Sequence, residues 1–413
     1  MSGTDDSIVI VGTGHGGAAL AALLRQSGYT GSVVMVGAER HHPYHRPPLS
    51  KKFAGPEVYR MLRPAEFYPD NDIDLRRGVQ VTAVDRVAGR IQLSDESTLS
   101  YRALVLATGS TPRALPVPGA DAAGVQALRT LDDAMELGRA LERGDRLAII
   151  GGGYVGMEVA AVARSAGIAV TVIERERRVL ARVASAELSR RLSDSHRERG
   201  TEIRTGADVA AVRTEAGRAR GVELADGTVV AADTVLVGIG AVPSDELAHH
   251  AGLACDSGVL VDEWGRTTDP AIFAIGDVAR RPIPGMNGLV RLESIPNVTE
   301  QARQITAALL GSDHPGHEVP WFWSDQFDLK LKIAGLVTPG CRVVAREGRE
   351  PGSFALFHLS GSDTVVAVET ANAPGDFVAG KKFVAEHRKV DPAALADSEV
   401  SLRDVAADSA LGV

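Results

Sequence analysis

The sequence predicts an α/β fold in which one strand, glycine turn and helix unit is used twice and a smaller α+β segment closes the chain. Three observations carry this. An apolar run, Ile8-Val9-Ile10-Val11, enters Gly12-Thr13-Gly14-His15-Gly16-Gly17 and then an Ala/Leu-rich helical stretch. The same order returns at Leu147-Ala148-Ile149-Ile150, Gly151-Gly152-Gly153-Tyr154-Val155-Gly156 and a second helical run. Near the C-terminus, apolar runs at Phe354 to Leu359 and Val365 to Val368 precede helical sequence after Pro374, the pattern of a mixed sheet-and-helix segment.

Each glycine run has the spacing Gly-x-Gly-x-x-Gly. The first glycine permits a tight turn, the second lets backbone approach a pyrophosphate, and the third lets the helix pack on the strand, with phosphate at the helix N-terminus. The residues downstream of each copy support it. After the first, a strand over Ser32 to Val36 leads to Glu39; after the second, Val170-Thr171-Val172-Ile173 leads to Glu174. An acid about 20 residues past the glycines is placed to hold a ribose hydroxyl. Two Rossmann-like dinucleotide sites in one chain point to electron transfer between them.

A chain of 413 residues exceeds one ordinary core and implies two or three domains. With 44% hydrophobic and 24% charged residues the composition is that of a soluble globular protein. The acidic start, Met1 to Asp6, is unlike a secretory leader, and no apolar run is long enough to span a bilayer. A cytoplasmic location without membrane association is expected. The net charge of −8 argues against general nucleic-acid binding. Cys255 and Cys341 form no Cys-x-x-Cys, so free thiols are expected rather than a thiol relay or zinc site.

In chain order, the first helix ends near Gly28, and His41-His42-Pro43-Tyr44-His45-Arg46-Pro47-Pro48-Leu49-Ser50-Lys51-Lys52 comes next. The prolines predict an extended loop, and no cysteine or carboxylate cluster completes a ligand set with the histidines, so no metal site is expected. Such a stiff loop suits a cofactor lid, with Arg46 or Lys51 facing phosphate or ring; a solvated surface charge is the alternative for each. Gln80 to Val84 and Arg90 to Leu93 read as antiparallel strands. The strand Leu104-Val105-Leu106 ends in Ala107-Thr108-Gly109, small residues that allow close backbone approach, and a proline-rich crossing then runs to Gly119. Thr234 to Gly240 repeats that exit in the second half. Thr268 to Asp277 is a short apolar strand ending in Gly276-Asp277, where the acid either binds a sugar hydroxyl or caps a helix beyond it. Residues 297 to 310 read as a helix closed by Gly311.

Across essentially its full length the chain resembles the NADH-dependent, FAD-containing ferredoxin reductases of bacterial cytochrome P450 and dioxygenase systems, of the putidaredoxin reductase type. The resemblance rests on both glycine fingerprints, Arg46-Pro47-Pro48-Leu49-Ser50-Lys51, Ala107-Thr108-Gly109, Leu128-Arg129-Thr130, Gly276-Asp277, Glu293-Ser294-Ile295-Pro296-Asn297 and Trp321 to Gln326. It implies a glutathione-reductase-like architecture: an FAD domain of residues 1–112 and 241–316, an inserted NADH domain of 113–240, and a C-terminal α+β domain of 317–413. It implies noncovalent FAD held by Gly12, Gly14, Gly16 and Gly17, by Glu39 at the ribose, and by Arg46, Val81, Ala107, Thr108, Gly109, Arg129, Asp277, Ile295 and Trp323. The NADH site would comprise Gly151, Gly153, Tyr154, Val155, Gly156, Glu174 and Gly240. Lys51, paired with Glu158, would lie beside the flavin as the catalytic charged pair.

The implied reaction is hydride transfer from NADH to FAD, then single electrons to a [2Fe-2S] ferredoxin feeding a P450 or ring-hydroxylating oxygenase. Because such partners are acidic and this chain is too, docking needs a local basic patch, which the resemblance assigns to Arg63, Arg303, Lys332, Lys381 and Lys382. Rubredoxin or monodehydroascorbate reduction differs only in the acceptor. An NADH-binding signalling flavoprotein is a further alternative, but it favours a basic surface. A disulfide reductase needs a redox cysteine in the early loop, where this chain has Ser50 and Lys51. Glu174 favours NADH over NADPH, with Arg175, Arg177 and Arg178 expected to be mostly solvated.

Overall fold

The computed structural model describes residues 6–405 apart from 54, 145 and 339. The chain divides into two compact units: one holds the chain up to His45, Tyr59–Thr111 and Ala241–Glu318; the other holds Arg46–Val58, Pro112–Gly240 and the chain from Val319 onward.

The first unit is built on a five-stranded, wholly parallel sheet in the order Ile272–Ala274, Ala103–Leu106, Ser7–Val11, Ser32–Gly37, Ile73–Arg77. A parallel sheet is covered on both faces, which is why its strands are continuous apolar runs. Ile8 and Ile10 face Leu20 and Leu24 of the helix His15–Gln26, with Ala302 and Ile305 of the helix Ile295–Leu310. Val9 and Val11 point the other way, toward Val81, Ile91 and Leu93 of a small antiparallel sheet.

The second unit repeats the plan. Its parallel sheet runs Glu202–Thr205, Ala169–Glu174, Arg146–Ile150, Thr234–Val237, Val125–Gln126, so the fingerprint strand is again central. The unit also contains an antiparallel sheet in the order Trp321–Gln326, Leu329–Gly335, Val365–Ala371, Phe354–Leu359, Arg342–Glu347. Phe377 and Phe383 of the helix Pro374–Ala385 pack into its core. Two Rossmann-like sheets and a C-terminal α+β segment are the fold class expected. Among the described residues no helix is long and apolar enough to cross a membrane.

Two local expectations differ. The proline-rich stretch is not wholly extended: Pro48–Lys51 is one turn of α-helix, closed by the Lys52 N–H to the Pro48 carbonyl at 2.7 Å. Proline suits this place because the first helical N–H has no intrahelical acceptor to lose. The helix expected from 297 starts at Ile295, since the Ser294 hydroxyl accepts the Asn297 N–H at 3.3 Å as an N-cap. It ends as expected at Gly311, in the left-handed region at φ +68°.

That helix is fixed by a buried polar cluster. Arg281, 3% exposed, donates to Glu300 at 3.0 Å, Gln304 at 2.9 Å and Asn297 at 2.8 Å, while the Gly276 N–H donates to Gln301 at 2.8 Å. The cluster therefore locks the helix that begins at Ile295 to the strand end that carries Asp277. Arg281→Ala strands the Glu300 carboxylate without its charge partner, and should lower the free energy of opening of helix 295–310 by about 3 kcal/mol or more. Native-state hydrogen exchange across that helix checks it, and a loss below about 1 kcal/mol would mean the pair is solvated on opening and contributes little.

Candidate functional site

Both glycine turns are forced by backbone contact. Gly12 lies at φ +121°, and a Cβ there would sit 2.1 Å from the Ala107 carbonyl oxygen; one on Gly17 would sit 2.0 Å from that of Gly12. In the second unit the corresponding distances are 2.3 Å from Gly151 to the Gly238 oxygen and 2.5 Å from Gly156 to the Gly151 oxygen. Gly153 is different. Its φ of −79° suits any residue, and a Cβ on it meets nothing within 4 Å. The packing of the protein does not require glycine there, whereas a group approaching the helix from outside does.

The helix heads agree. Helices starting after Thr130, Ser185, Ser294 and Asp391 have side-chain caps, while those starting after Gly14 and Gly153 have none and carry no acid in their first turn. Their leading N–H groups and positive dipole ends are suited to an anionic diphosphate. Val155, in the first turn of the second helix, is 46% exposed. Both sites thus fit a dinucleotide.

The acids stand at the strand ends. Glu39 accepts from the Tyr44 hydroxyl at 2.5 Å. Glu174 accepts the Gly152 N–H at 2.6 Å and the Glu176 N–H at 2.8 Å, which fixes it against the glycine turn. Of the arginines after it, Arg178 donates to the Ser185 and Ala181 carbonyls, while Arg175 and Arg177 are exposed.

Around the first turn, the Ala107 N–H donates to the Val11 carbonyl at 2.7 Å, the Thr108 hydroxyl to the Ser244 carbonyl at 2.7 Å, and Gly109 takes φ +71°. Asp277 lies within the single 3-10 turn Gly276–Val278 and accepts from the Ser110 hydroxyl at 3.1 Å. A strand comes directly after it, so it caps no helix. Val81 is buried in the apolar core, and Gly240, at φ +103°, accepts the Arg113 N–H at 2.9 Å.

The second unit holds a charged centre. Lys51 meets Glu158 Oε1 at 2.6 Å, the pair that the resemblance implies, and Glu158 is only 4% exposed. Lys51 comes from the one-turn helix and Glu158 from the fingerprint helix Tyr154–Ser165. Arg46 donates to the Arg129 carbonyl at 2.7 Å, just before Thr130, whose hydroxyl and Asp133 form a capping box on the helix Leu131–Arg143. Tyr154 meets Phe322 edge-on with ring centres 4.9 Å apart. Its buried hydroxyl has no partner among the described residues, and burial, reinforced by Glu369 and Glu158, pushes its pKa upward.

Sequence reasoning did not find the groups that surround this pair. Ser50 donates to Glu158 Oε2 at 2.5 Å and Ser324 to Oε1 at 2.6 Å. Behind Ser324 stand Gln326, whose amide N is 3.2 Å from the Ser324 hydroxyl, and His196, whose Nε2 is 3.0 Å from the Gln326 amide oxygen. Buried Glu369 accepts the Ser185 N–H at 2.9 Å and meets His358 Nε2 at 2.9 Å. The one sequence signal was that Ser324 and Gln326 fall within the distinctive run Trp321 to Gln326.

Of the basic residues expected to dock a partner, the structure brings together Lys332 and Lys381. They lie 5.4 Å from the Phe377 and Trp321 ring centres, and those rings are 5.6 Å apart, with Trp323 5.8 Å from Trp321. Lys382 faces Glu386 at 3.6 Å. In the first unit, Arg63 stacks over Phe67 and Arg303 pairs with Glu318 at 2.5 Å, which offsets its charge.

Known proteins resemble this chain in sequence and fold. Residues 6–304 match the model of the pyridine nucleotide-disulphide oxidoreductase family, and 321–406 match a reductase C-terminal domain. Rhodocoxin reductase of Rhodococcus erythropolis is 42% identical over 400 residues, 96% of this chain and 93% of that protein. The crystal structure of the ferredoxin reductase for the CYP199A2 system of Rhodopseudomonas palustris superposes with a TM-score of 0.93 at 37% identity, covering 97% of this chain and 100% of that one. The covalent putidaredoxin reductase–putidaredoxin complex gives 0.92 at 41% identity, covering 97% and 98%.

His196 gives the site a pH dependence. Burial lowers its pKa from 6.5 to about 4; the Gln326 bond opposes this shift and Arg199 adds to it. Because the folded value is the lower one, the unfolded chain takes up a proton between those values that the folded chain refuses. This contribution is intact above pH 6.5, is lost as pH falls toward 4, and amounts to on the order of 3 kcal/mol. Unfolding of wild type and His196→Gln compared across that range should show the wild type losing stability more steeply; parallel curves would mean that His196 is charged in the fold.

Proposed function

The chain belongs to the pyridine nucleotide-disulphide oxidoreductase family and, within it, to the ferredoxin reductases of the putidaredoxin reductase type, and on that premise we propose that it carries electrons from NADH to a [2Fe-2S] ferredoxin serving a cytochrome P450 or ring-hydroxylating oxygenase. The observation that carries this reading is the pair of uncapped helix heads behind glycine turns, each with an acid at the next strand end. FAD, when bound, links a hydride donor to a one-electron acceptor. The balance is one NADH and two oxidised ferredoxins to NAD⁺, a proton and two reduced ferredoxins.

The FAD domain is 1–112 with 241–316, the NADH domain 113–240 and the C-terminal domain 317–413. The first glycine turn, Gly12 to Gly17, receives the FAD diphosphate and Glu39 the ribose. Asp277, which caps no helix, takes a ribityl hydroxyl, and Ala107, Thr108, Gly109, Val81, Ile295 and Trp323 line the cofactor. Arg46 and Arg129 add polar contacts. Lys51 is the cation offered to the flavin, kept compensated by Glu158. NADH takes the second turn, with Gly151, Gly153 and Gly156 at the diphosphate, Tyr154, Val155 and Gly240 beside it, and Glu174 at the ribose. A carboxylate held by two backbone N–H groups cannot swing away from a 2′-phosphate, which favours NADH over NADPH.

Lys332 and Lys381, seated on aromatic rings, offer positive charge to the acidic partner, and Lys382, Arg63 and Arg303 are the other docking residues of this reading. Dithiol chemistry is disfavoured by the thiols themselves. Burial, then Asp245, raises the pKa of Cys255, the wrong direction for a nucleophile. The protein acts in the cytoplasm.

The nucleotide assignment separates two glycines. Gly153→Ala should leave stability within about 1 kcal/mol and weaken NADH binding by about tenfold or more, because the methyl enters the space of the diphosphate. Gly156→Ala should instead disrupt the domain, since its methyl meets backbone. Titration of NADH against the folded Gly153→Ala protein is the test. Unchanged affinity would remove NADH from this helix.

A further inference from the structure

The groups behind Glu158 form a hydrogen-bond chain whose direction is set at one end. A carboxylate paired with Lys51 can only accept, so the Ser324 hydroxyl must spend its proton on Glu158 Oε1. Its oxygen must then receive from the Gln326 amide, which turns the Gln326 Oε1 toward His196 and requires a proton on His196 Nε2. His196 has the Thr201 hydroxyl 3.4 Å from Nδ1. Every donor thus points one way, toward Glu158, and bonds in such a series polarise one another.

We propose that Ser324, oriented by Gln326 and His196, is a positioning residue for the Lys51–Glu158 pair. Glu158 has two oxygens and several rotamers available to it. With Ser50 on Oε2 and Ser324 on Oε1, the carboxylate plane is fixed, and Lys51 is drawn to the oxygen that Ser324 already holds. The ammonium, 16% exposed, is thereby directed by three chain segments: the one-turn helix, the fingerprint helix and the strand Trp321–Gln326. Ser324 and Gln326 are each 0% exposed, so neither touches solvent or ligand directly. Their effect on the reaction passes through Lys51, and this inference rests on the proposal that Lys51 faces the flavin.

The test uses the FAD-loaded protein as wild type, Ser324→Ala and Gln326→Leu. Lys51 acylation by acetic anhydride is followed by mass spectrometry, with the exposed Lys52 as internal reference, and flavin reduction by NADH is followed by stopped flow. Ser324→Ala should acylate Lys51 about fivefold faster relative to Lys52, as a charge-assisted hydrogen bond is lost. It should slow the limiting reduction rate about tenfold while NADH affinity stays within about twofold. Gln326→Leu should change both in the same direction by less, and it keeps the test open if Ser324→Ala fails to fold. Lower melting temperature with unchanged Lys51 reactivity and reduction rate would reduce the chain to structural support and overturn the proposal. Failure of NADH to reduce the wild-type flavin would instead contradict the functional reading, because the acylation difference is measured without NADH.

Discussion

The constraint on which both halves depend is the backbone-to-backbone contact at each glycine turn. At Gly12 and Gly17, and again at Gly151 and Gly156, the space a methyl would need is taken by a carbonyl oxygen. The contact brings each helix onto its strand with the helix head directed outward and uncapped. A parallel sheet supplies the rest, since its strands are covered on both faces and its connecting helices must return over it. Packing thus requires glycine at 156 and leaves 153 open, so the two positions separate packing from the binding proposed for this turn.

A second level of organisation is electrostatic. The buried Glu158 carboxylate is tolerable only because an ammonium and two hydroxyls converge on it, from the neighbours Ser50 and Lys51 on one side and the distant Ser324 on the other. The same solution recurs at Arg281 with Glu300, and at Glu369, which accepts the first N–H before the helix Ala186–Glu198 while facing His358. In each case a buried polar side chain fastens a helix to a strand. Specific alignment, rather than net stability, is what such pairs supply most dependably.

The duplicated unit was legible because its causes are local: apolar runs, glycines at fixed spacing, and an acid one strand later. The pairing of Lys51 with Glu158 was legible only through resemblance, since no spacing links residues 107 positions apart. Of the chain from Ser324 through Gln326 to His196, only the run that carries Ser324 and Gln326 was legible, not its connection to His196 or Glu158. Ser324 and Gln326 share one strand while His196 and Glu158 sit on two helices far away in sequence, and only the fold brings the four together. The Pro48–Lys51 turn escapes a sequence reading for a different reason: proline disfavours helix interiors but suits first turns, and a one-turn helix is nothing but a first turn. Asp277 is ambiguous in sequence because a cap and a sugar ligand ask for the same residue, and the strand directly after it removes the helix that it would have capped.

A two-electron donor can be joined to a one-electron protein acceptor only through a group that accepts electrons in a pair and releases them singly, and the proposed function gives that task to a flavin between two dinucleotide sites. The most direct measurement is an anaerobic titration of the FAD-loaded protein with NADH in the presence of excess oxidised [2Fe-2S] ferredoxin, counting both nicotinamide oxidation and iron–sulphur reduction. The account predicts two ferredoxins reduced for each NADH consumed. NADH consumption without ferredoxin reduction, or none at all, would contradict it.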